Sequence, residues 1–154
     1  MEIKMEENRN VKKSICYCTN LRRSANTISI YYDHALKDTG LTAAQYHLLV
    51  NLMRLESANI TNWAQYVGLE RSTMVRNVKT LERQNLIELT KGSGKTFTLS
   101  AYGGKVLEQA IPLWEKAQDE IEEILGKEDV EAILRISEKL GMSENLESRK
   151  SLEN

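Results

Sequence analysis

The stretch NWAQYVGLERSTMVRNVKTLERQNLIELTKGSGKTFTLS, residues 62–100, decides the fold of this chain. Its first part predicts a short helix that ends at Gly68, because glycine readily adopts the left-handed conformation that closes a helix. The next part predicts a longer helix over residues 72–84. Strand patterns at residues 86–90 and 96–100 then flank a five-residue loop with two glycines. This order of elements predicts a winged helix-turn-helix.

Finer features of this stretch are predicted as well. Asn62 with Gln65 three residues later has the form of a helix cap, so the first helix is expected to begin there. On the second helix, Val75, Val78 and Leu81 are expected to face inward.

Two helices are predicted before this stretch. Apolar residues at spacings of three, four and seven predict one long amphipathic helix over residues 14–37. Thr42 with Gln45 has the form of a capping box, which begins a second helix that runs to about Leu55.

Two further helices are predicted after it. Ser100 is suited to cap a helix that continues to Leu125, with a bend at Pro112, because proline removes a backbone donor. Gly126 separates this helix from a last one over residues 128–140. The predicted fold class is therefore mainly α with a small β-hairpin wing.

Length and composition predict a single soluble globular domain, residues 1–154, that is 41% hydrophobic and 28% charged. No apolar run approaches the ~18 residues of a membrane helix, and the first ten residues are polar, without a hydrophobic signal core. We therefore expect a cytoplasmic protein that does not contact a membrane. Two cysteines in such a chain indicate reduced thiols.

The formal net charge of −1 hides an uneven distribution. Residues 60–100 carry six Lys or Arg and three Asp or Glu, whereas residues 101–154 carry seven and thirteen. A chain divided in this way can hold a polyanion with its middle third and repel it with its last third.

The polar face of the second helix of residues 62–100 is suited to DNA. It carries guanidinium groups and short hydrogen-bonding side chains, which bind base edges and phosphates. The alternative is a solvated polar face, and the hairpin that follows favours DNA. The residues off the apolar face are Arg71, Ser72, Thr73, Arg76, Asn77 and Thr80.

From about residue 14 to 140 the chain resembles the MarR family of bacterial transcription regulators. The resemblance lies in the stretches LRRSANTISIYYDHAL, GLTAAQYHLL, NWAQYVGLERSTMVRNVKTLERQNLI and LSAYGGKVLEQAIPLWEKAQDEIEEILG. It implies a homodimer joined by helices within residues 14–40 and 100–140. It also implies that the winged helix-turn-helix lobe, residues 41–100, binds one half of a palindromic operator. By the same resemblance, DNA contacts are expected at Ser72, Thr73, Arg76, Asn77 and Lys79. Arg71 is expected to bind a phosphate, because it is a cation off the apolar face of the same helix.

The wing departs from the family pattern. Many members have a longer wing with an arginine in an Asp-x-Arg tip that enters the minor groove, whereas residues 91–95 here are KGSGK. We expect Lys91, Ser93 and Lys95 to contact DNA, the two lysines through phosphates, which position a protein without specifying sequence.

The two cysteines, Cys16 and Cys18, are too close for a zinc pair without other ligands. Peroxide-sensing members of the family are similar in having a first-helix cysteine and a tyrosine near the spacing of Cys18 and Tyr32. Cys18 is therefore either a redox sensor or a small buried residue of the dimer seam.

Four residues are candidates for an effector pocket between the dimer helices and the DNA lobe. A small aromatic effector would suit them, and the alternative is that they belong to the hydrophobic core. They are Tyr17, Tyr46, His47 and Trp114.

We find no motif for catalysis, a cofactor or a metal in the sequence. Neither His34 nor His47 has the glutamate three residues before it that a di-iron bundle needs. The leading hypothesis is a dimeric, ligand-responsive repressor. The alternatives are a regulator that senses oxidants through Cys18 and an interaction module that has the fold without DNA binding.

Overall fold

The computed structural model describes residues 15–92 and 94–141, whose regular secondary structure is helical apart from one small antiparallel sheet. A 3-10 turn at Lys37–Thr39 joins the first two helices. The mainly α fold with a hairpin wing is therefore confirmed. In chain order the elements are α1 (Tyr17–Leu36), α2 (Ala43–Leu55), β1 (Ala58–Asn59), α3 (Ile60–Val67), α4 (Arg71–Arg83), β2 (Ile87–Leu89), β3 (Thr96–Leu99), α5 (Ala101–Leu125) and α6 (Lys127–Gly141).

Most predicted helix boundaries are confirmed by their caps. The Thr42 hydroxyl accepts a hydrogen bond from the amide of Gln45 at 3.1 Å, and the Gln45 side chain accepts one from the Thr42 amide at 3.1 Å. Ser100 caps α5 by accepting from the amide of Gly103 at 2.8 Å. Gly68 closes α3 with a φ of 74°, a conformation that glycine adopts without steric cost.

The predicted cap of α3 was wrong. The cap is Asn59, whose side chain accepts from the amide of Asn62 at 2.8 Å, and the helix begins at Ile60. Asn59 has the extended backbone that a capping residue needs, because it ends a strand.

That strand, β1, was not predicted. The sheet has the order β1-β3-β2, and both pairings are antiparallel. In it Ala58 pairs with Phe97, and Ile87 pairs with Leu99. A strand of two residues has no periodicity of its own, so only its long-range partner defines it.

The hydrophobic core lies between α2, α3, α4 and the amino-terminal half of α5, and the end of α1 and the sheet contribute to it. Trp63 is fully buried, and its indole Nε1 donates to the Leu48 carbonyl at 3.3 Å. On α4 the prediction of an inward Val75 was wrong, because Met74 is the fully buried residue and Val75 is half-buried. Met74, Val78 and Leu81 follow the spacing of four and three that a helix of 3.6 residues per turn buries along one side.

The last two helices continue from the wing. Pro112 lies within α5, which extends without interruption over 25 residues, and its expected bend stays a prediction. Gly126 ends α5 with a φ of 80°. No residue of α6 is buried, although the helix carries the apolar residues Ile133, Leu134 and Ile136. None of the described helices is both long and apolar enough to cross a membrane.

Candidate nucleic-acid interface

The side of α4 opposite its buried residues is polar and accessible. Arg71, Ser72, Arg76 and Lys79 are exposed, whereas the shorter Thr73 is half-buried. These residues share one helix with a fully buried Met74, so the core fixes the face that they present. Such a helix can enter a major groove, where guanidinium and hydroxyl groups meet base edges.

Several of these side chains are ordered by bonds within α4. The Arg76 guanidinium donates to the Thr73 hydroxyl at 3.3 Å. The Asn77 amide nitrogen donates to the Thr73 carbonyl at 3.0 Å, which folds the half-buried side chain back against its own helix. Asn77 therefore offers a base fewer free donors than Arg76 does.

The amino end of α4 has no side-chain cap. Glu70 is the residue before the helix, and its side chain makes no capping bond. N–H groups in the first turn of a helix lack partners within the helix, and an anion is a suitable partner for them. Arg71 stands at this end and is exposed.

The hairpin places two further cations beyond the sheet. The amide of Thr90 donates to the Thr96 carbonyl at 2.9 Å, and the two threonine hydroxyls are hydrogen-bonded to each other. Lys91 and Lys95 follow on the two sides of the tip, and both are exposed. Ser93, at the tip, lies outside the described residues.

The cations of α4 and of the hairpin are not paired with carboxylates of the described residues. Among residues 15–92 and 94–141, the ion pairs are Lys116 with Glu120 and Lys127 with Glu131, all on α5 and α6. The cations of α4 and of the hairpin make no ion pair with a described carboxylate, so their charge remains available to a polyanion.

The four candidate effector residues do not form one cluster. Tyr46 of α2 stacks on Trp114 of α5, with ring centroids 5.5 Å apart, and Tyr32 of α1 also stacks on Trp114, at 5.9 Å. Burial raises the pKa of the Tyr46 phenol, with a smaller contribution from the charge of Glu115. The sequence prediction had missed Tyr32 as a member of this set.

The other two candidates lie elsewhere. His47 is exposed, and its ring Nδ1 lies 3.2 Å from the side-chain nitrogen of Asn51. Tyr17 is 85% exposed and lines a groove with Ile136 and Leu140 of α6. It begins α1, fifteen residues before Tyr32, which is about 22 Å along a helix. Tyr17 therefore belongs to a different surface from Trp114.

Both cysteines are exposed in the single chain. Cys16 precedes the first residue of α1, and hydrogen bonds from the Thr19 side chain and backbone lower the pKa of its thiol. Cys18 lies on the first turn, where its sulfur accepts from the Arg22 guanidinium at 3.8 Å. Tyr32 is fourteen residues away on the same helix, about 21 Å, so it does not contact Cys18 within one protomer. Within the part of the chain that is described, no three His, Cys, Asp or Glu side chains form a metal site.

Comparison with known proteins relates this geometry to a family. Residues 41–93 match the model of the MarR family. No curated protein sequence matches the chain.

Solved structures match over most of the chain. The transcriptional regulator MosR of M. tuberculosis is 29% identical, with a TM-score of 0.73 over 86% of this chain and 98% of that chain. A structure of MosR in complex with DNA is 28% identical, with a TM-score of 0.69 over 81% and 98% of the two chains. The transcriptional repressor CouR, bound to p-coumaroyl-CoA, is 23% identical, with a TM-score of 0.77 over 86% and 99%.

Proposed function

We propose that this chain, whose residues 41–93 match the MarR family model and whose fold is that of the regulator MosR, is a dimeric repressor of that family that binds a palindromic DNA operator. The chain would act as a single domain, in the cytoplasm, by binding and not by catalysis. A small aromatic effector would release it from DNA by changing the distance between the two lobes.

The observation that carries this proposal is the exposed polar face of α4 beside a hairpin with two exposed lysines. Base contacts are assigned to Ser72, Thr73 and Arg76, with Asn77 as a weaker member because its amide is bonded to α4. Phosphate contacts are assigned to the cations around them, Arg71, Lys79, Lys91 and Lys95. The complex of MosR with DNA supports DNA binding by a chain of this fold, since MosR is 28% identical to this chain.

The effector site is proposed around the aromatic stack of α1, α2 and α5. Tyr46 and Trp114 keep their assignment and Tyr32 is added, whereas Tyr17 and His47 lie outside the stack. The stack joins α2, which belongs to the lobe of residues 41–100, to α1 and α5. A ligand that separated the rings would therefore move the lobe relative to α1 and α5. The structure of CouR with p-coumaroyl-CoA supports a ligand-responsive regulator with this fold.

The experiment that tests DNA binding is a gel-shift titration with a palindrome from the region upstream of the gene or its neighbour. Arg76→Ala should weaken binding to it by about 1–3 kcal/mol and relax discrimination at one base pair in each half-site, if the guanidinium binds a guanine. Glu82→Ala, an exposed change on the same helix, is the control. An equal loss on specific and random DNA would reassign Arg76 to a phosphate. A dimer without salt-sensitive affinity for DNA would favour the interaction module.

A second candidate function is oxidant sensing by the thiols at the start of α1. The observation in its favour is that Cys18 is exposed beside the Arg22 guanidinium, since reactive thiols are accessible and lie beside cations. This function predicts that peroxide lowers the affinity of the wild type for DNA and that Cys18→Ser abolishes the effect. Cys16→Ser, two residues away, is the matched comparison. Unchanged affinity of the wild type in peroxide would reject sensing and leave Cys18 as a residue of the dimer seam.

A further inference from the structure

The amino end of α2 is hydrogen-bonded to two other helices at once. On one side, Asp33 of α1 accepts from the amide of Ala43, the first residue of α2, at 2.6 Å. On the other side, the Gln45 side chain donates to the Gln84 side chain at 2.9 Å. Gln84 is the C-cap residue of α4, directly after its last residue, Arg83. One turn of α2 thus connects a predicted dimerisation helix to the predicted recognition helix.

Gln45 is held rigidly enough to act in such a connection. The side-chain oxygen of Gln45 accepts from the backbone amide of Thr42 at 3.1 Å, and the backbone amide of Gln45 donates to the Thr42 hydroxyl at 3.1 Å. Because a carboxamide is planar, fixing its oxygen also fixes the direction of its nitrogen. That nitrogen is the atom that meets Gln84.

The position of the Asp33 carboxylate is also fixed, by its hydrogen bond from the Ala43 amide. The amide of Ala43 is one of the donors at the start of α2 that have no partner within the helix. A carboxylate that accepts such a bond makes a short, charge-assisted contact, and the dipole of the helix favours a negative charge at this end. Leu36, one turn further along α1, is fully buried, so the core holds the helix that carries Asp33.

These contacts supply what the apolar core lacks. Burial of apolar surface favours contact between helices without a strong preference for one angle, whereas hydrogen bonds are directional. The angle between α1 and α4 matters because two recognition helices of a dimer must reach half-sites about one helical turn, or 34–36 Å, apart.

We propose that Asp33, Gln45 and Gln84 are positioning residues that fix the recognition helix relative to the dimerisation helix and thereby set the half-site spacing that the protein accepts. The inference rests on the proposed function, in which α4 enters the major groove of a palindrome. None of the three residues contacts DNA in this role.

The first test measures the distance between the recognition helices without DNA. A spin label is attached to Glu82→Cys in a Cys16→Ser, Cys18→Ser background. Pulsed electron paramagnetic resonance then gives the distribution of distances between the two α4 helices of the dimer. Gln84→Ala and Asp33→Ala should broaden it. Gln84→Glu and Asp33→Asn retain an acceptor oxygen and should restore the narrow distribution. Gln109→Ala, an exposed glutamine of α5, is the control.

The second test uses palindromes that the wild type selects from a random duplex pool, with the half-sites moved one base pair closer or farther. Gln84→Ala should reduce the preference for the best spacing roughly fivefold or more, the effect of one ordinary hydrogen bond lost in each of the two protomers. Its melting temperature should change little, because the bond is exposed. A purely structural role would lower the melting temperature and the affinity for all spacings alike.

The outcomes separate the inference from the function on which it rests. If the wild type does not dimerise or selects no palindrome, the proposed function fails, and the inference fails with it. If the wild type binds a palindrome but the alanine variants keep both the narrow distribution and the spacing preference, only the inference is overturned.

Discussion

Among the described glycines, Gly103 is the one whose Cα lies closely against the backbone of another element, at Leu86, the residue directly before β2. A Cβ atom built on Gly103 would lie 1.9 Å from the Leu86 carbonyl oxygen. That oxygen also accepts from the amide of Ser100 at 3.1 Å, and Ser100 caps α5. The glycine thus allows the first turn of α5 to pack against the start of the wing, which orients the wing relative to α5.

We expect Gly103→Ala to lower the free energy of unfolding by about 3 kcal/mol, because the obstacle is a backbone atom that cannot rotate away. Gly104→Ala is the matched control, since a Cβ there meets nothing within 4 Å. It should raise stability by about 0.5–1 kcal/mol through its better helix propensity. Urea denaturation of the two variants checks this. Similar effects of both would show that Leu86 moves aside at little cost.

At the scale of elements, the hairpin wing is the part whose chemistry differs most from the family pattern. It has lysines at residues 91 and 95 and no arginine between residues 91 and 95. Both lysines are exposed and lie beyond the threonine pair that closes the sheet. A lysine beside the backbone of DNA contributes charge without distinguishing one base pair from another.

We predict that replacing Lys91 and Lys95 with alanine lowers affinity to a similar degree for operator and scrambled duplex. The dimer would lose up to four phosphate contacts, so the slope of log affinity against log salt should fall by as much as about 3–4 units. Titrations at several salt concentrations measure it. Replacing Lys116 and Lys127, which are exposed on α5 and α6, is the control. A loss confined to the operator, at an unchanged slope, would mean that the wing enters a groove.

At the scale of the whole molecule, one chain leaves much apolar surface uncovered. Ile30 of α1 is 66% exposed, Ile124 of α5 is 62% exposed and Leu134 of α6 is 65% exposed. None of the residues of α6 is buried, although Ile133, Leu134 and Ile136 lie on it. Large apolar side chains exposed in such number on three helices are typical of an interface.

We therefore expect a homodimer at micromolar concentration, joined through α1, α5 and α6. Ile124→Glu combined with Leu134→Glu should give a monomer, because a carboxylate in a dry interface loses its hydration without gaining a partner. Light scattering of the wild type and the variant checks this. Glu138→Ala, an exposed polar change on α6, should leave the dimer intact. A wild-type chain that scatters as a monomer would contradict the prediction.

The sequence alone determined the features that depend on neighbours within about four residues. The Thr42 and Ser100 caps, the left-handed glycine at Gly68 and the order of helix, turn, helix and hairpin were all predicted, because each arises from local hydrogen bonds or local backbone freedom. The polar residues of α4 were predicted for the same reason, since a helical period of 3.6 separates them from the buried stripe.

Only the tertiary structure decided the features that join distant parts of the chain. The strand β1 exists because Phe97 pairs with Ala58, and on α4 the packing of the core buries Met74 fully and Val75 only partly. Tyr32 stacks on Trp114, and Tyr17 lines a different groove beside α6. The Gln45 side chain donates to that of Gln84, 39 residues later in the chain. Such contacts depend on how the helices pack against one another, and neither spacing nor residue type along the chain encodes that packing locally.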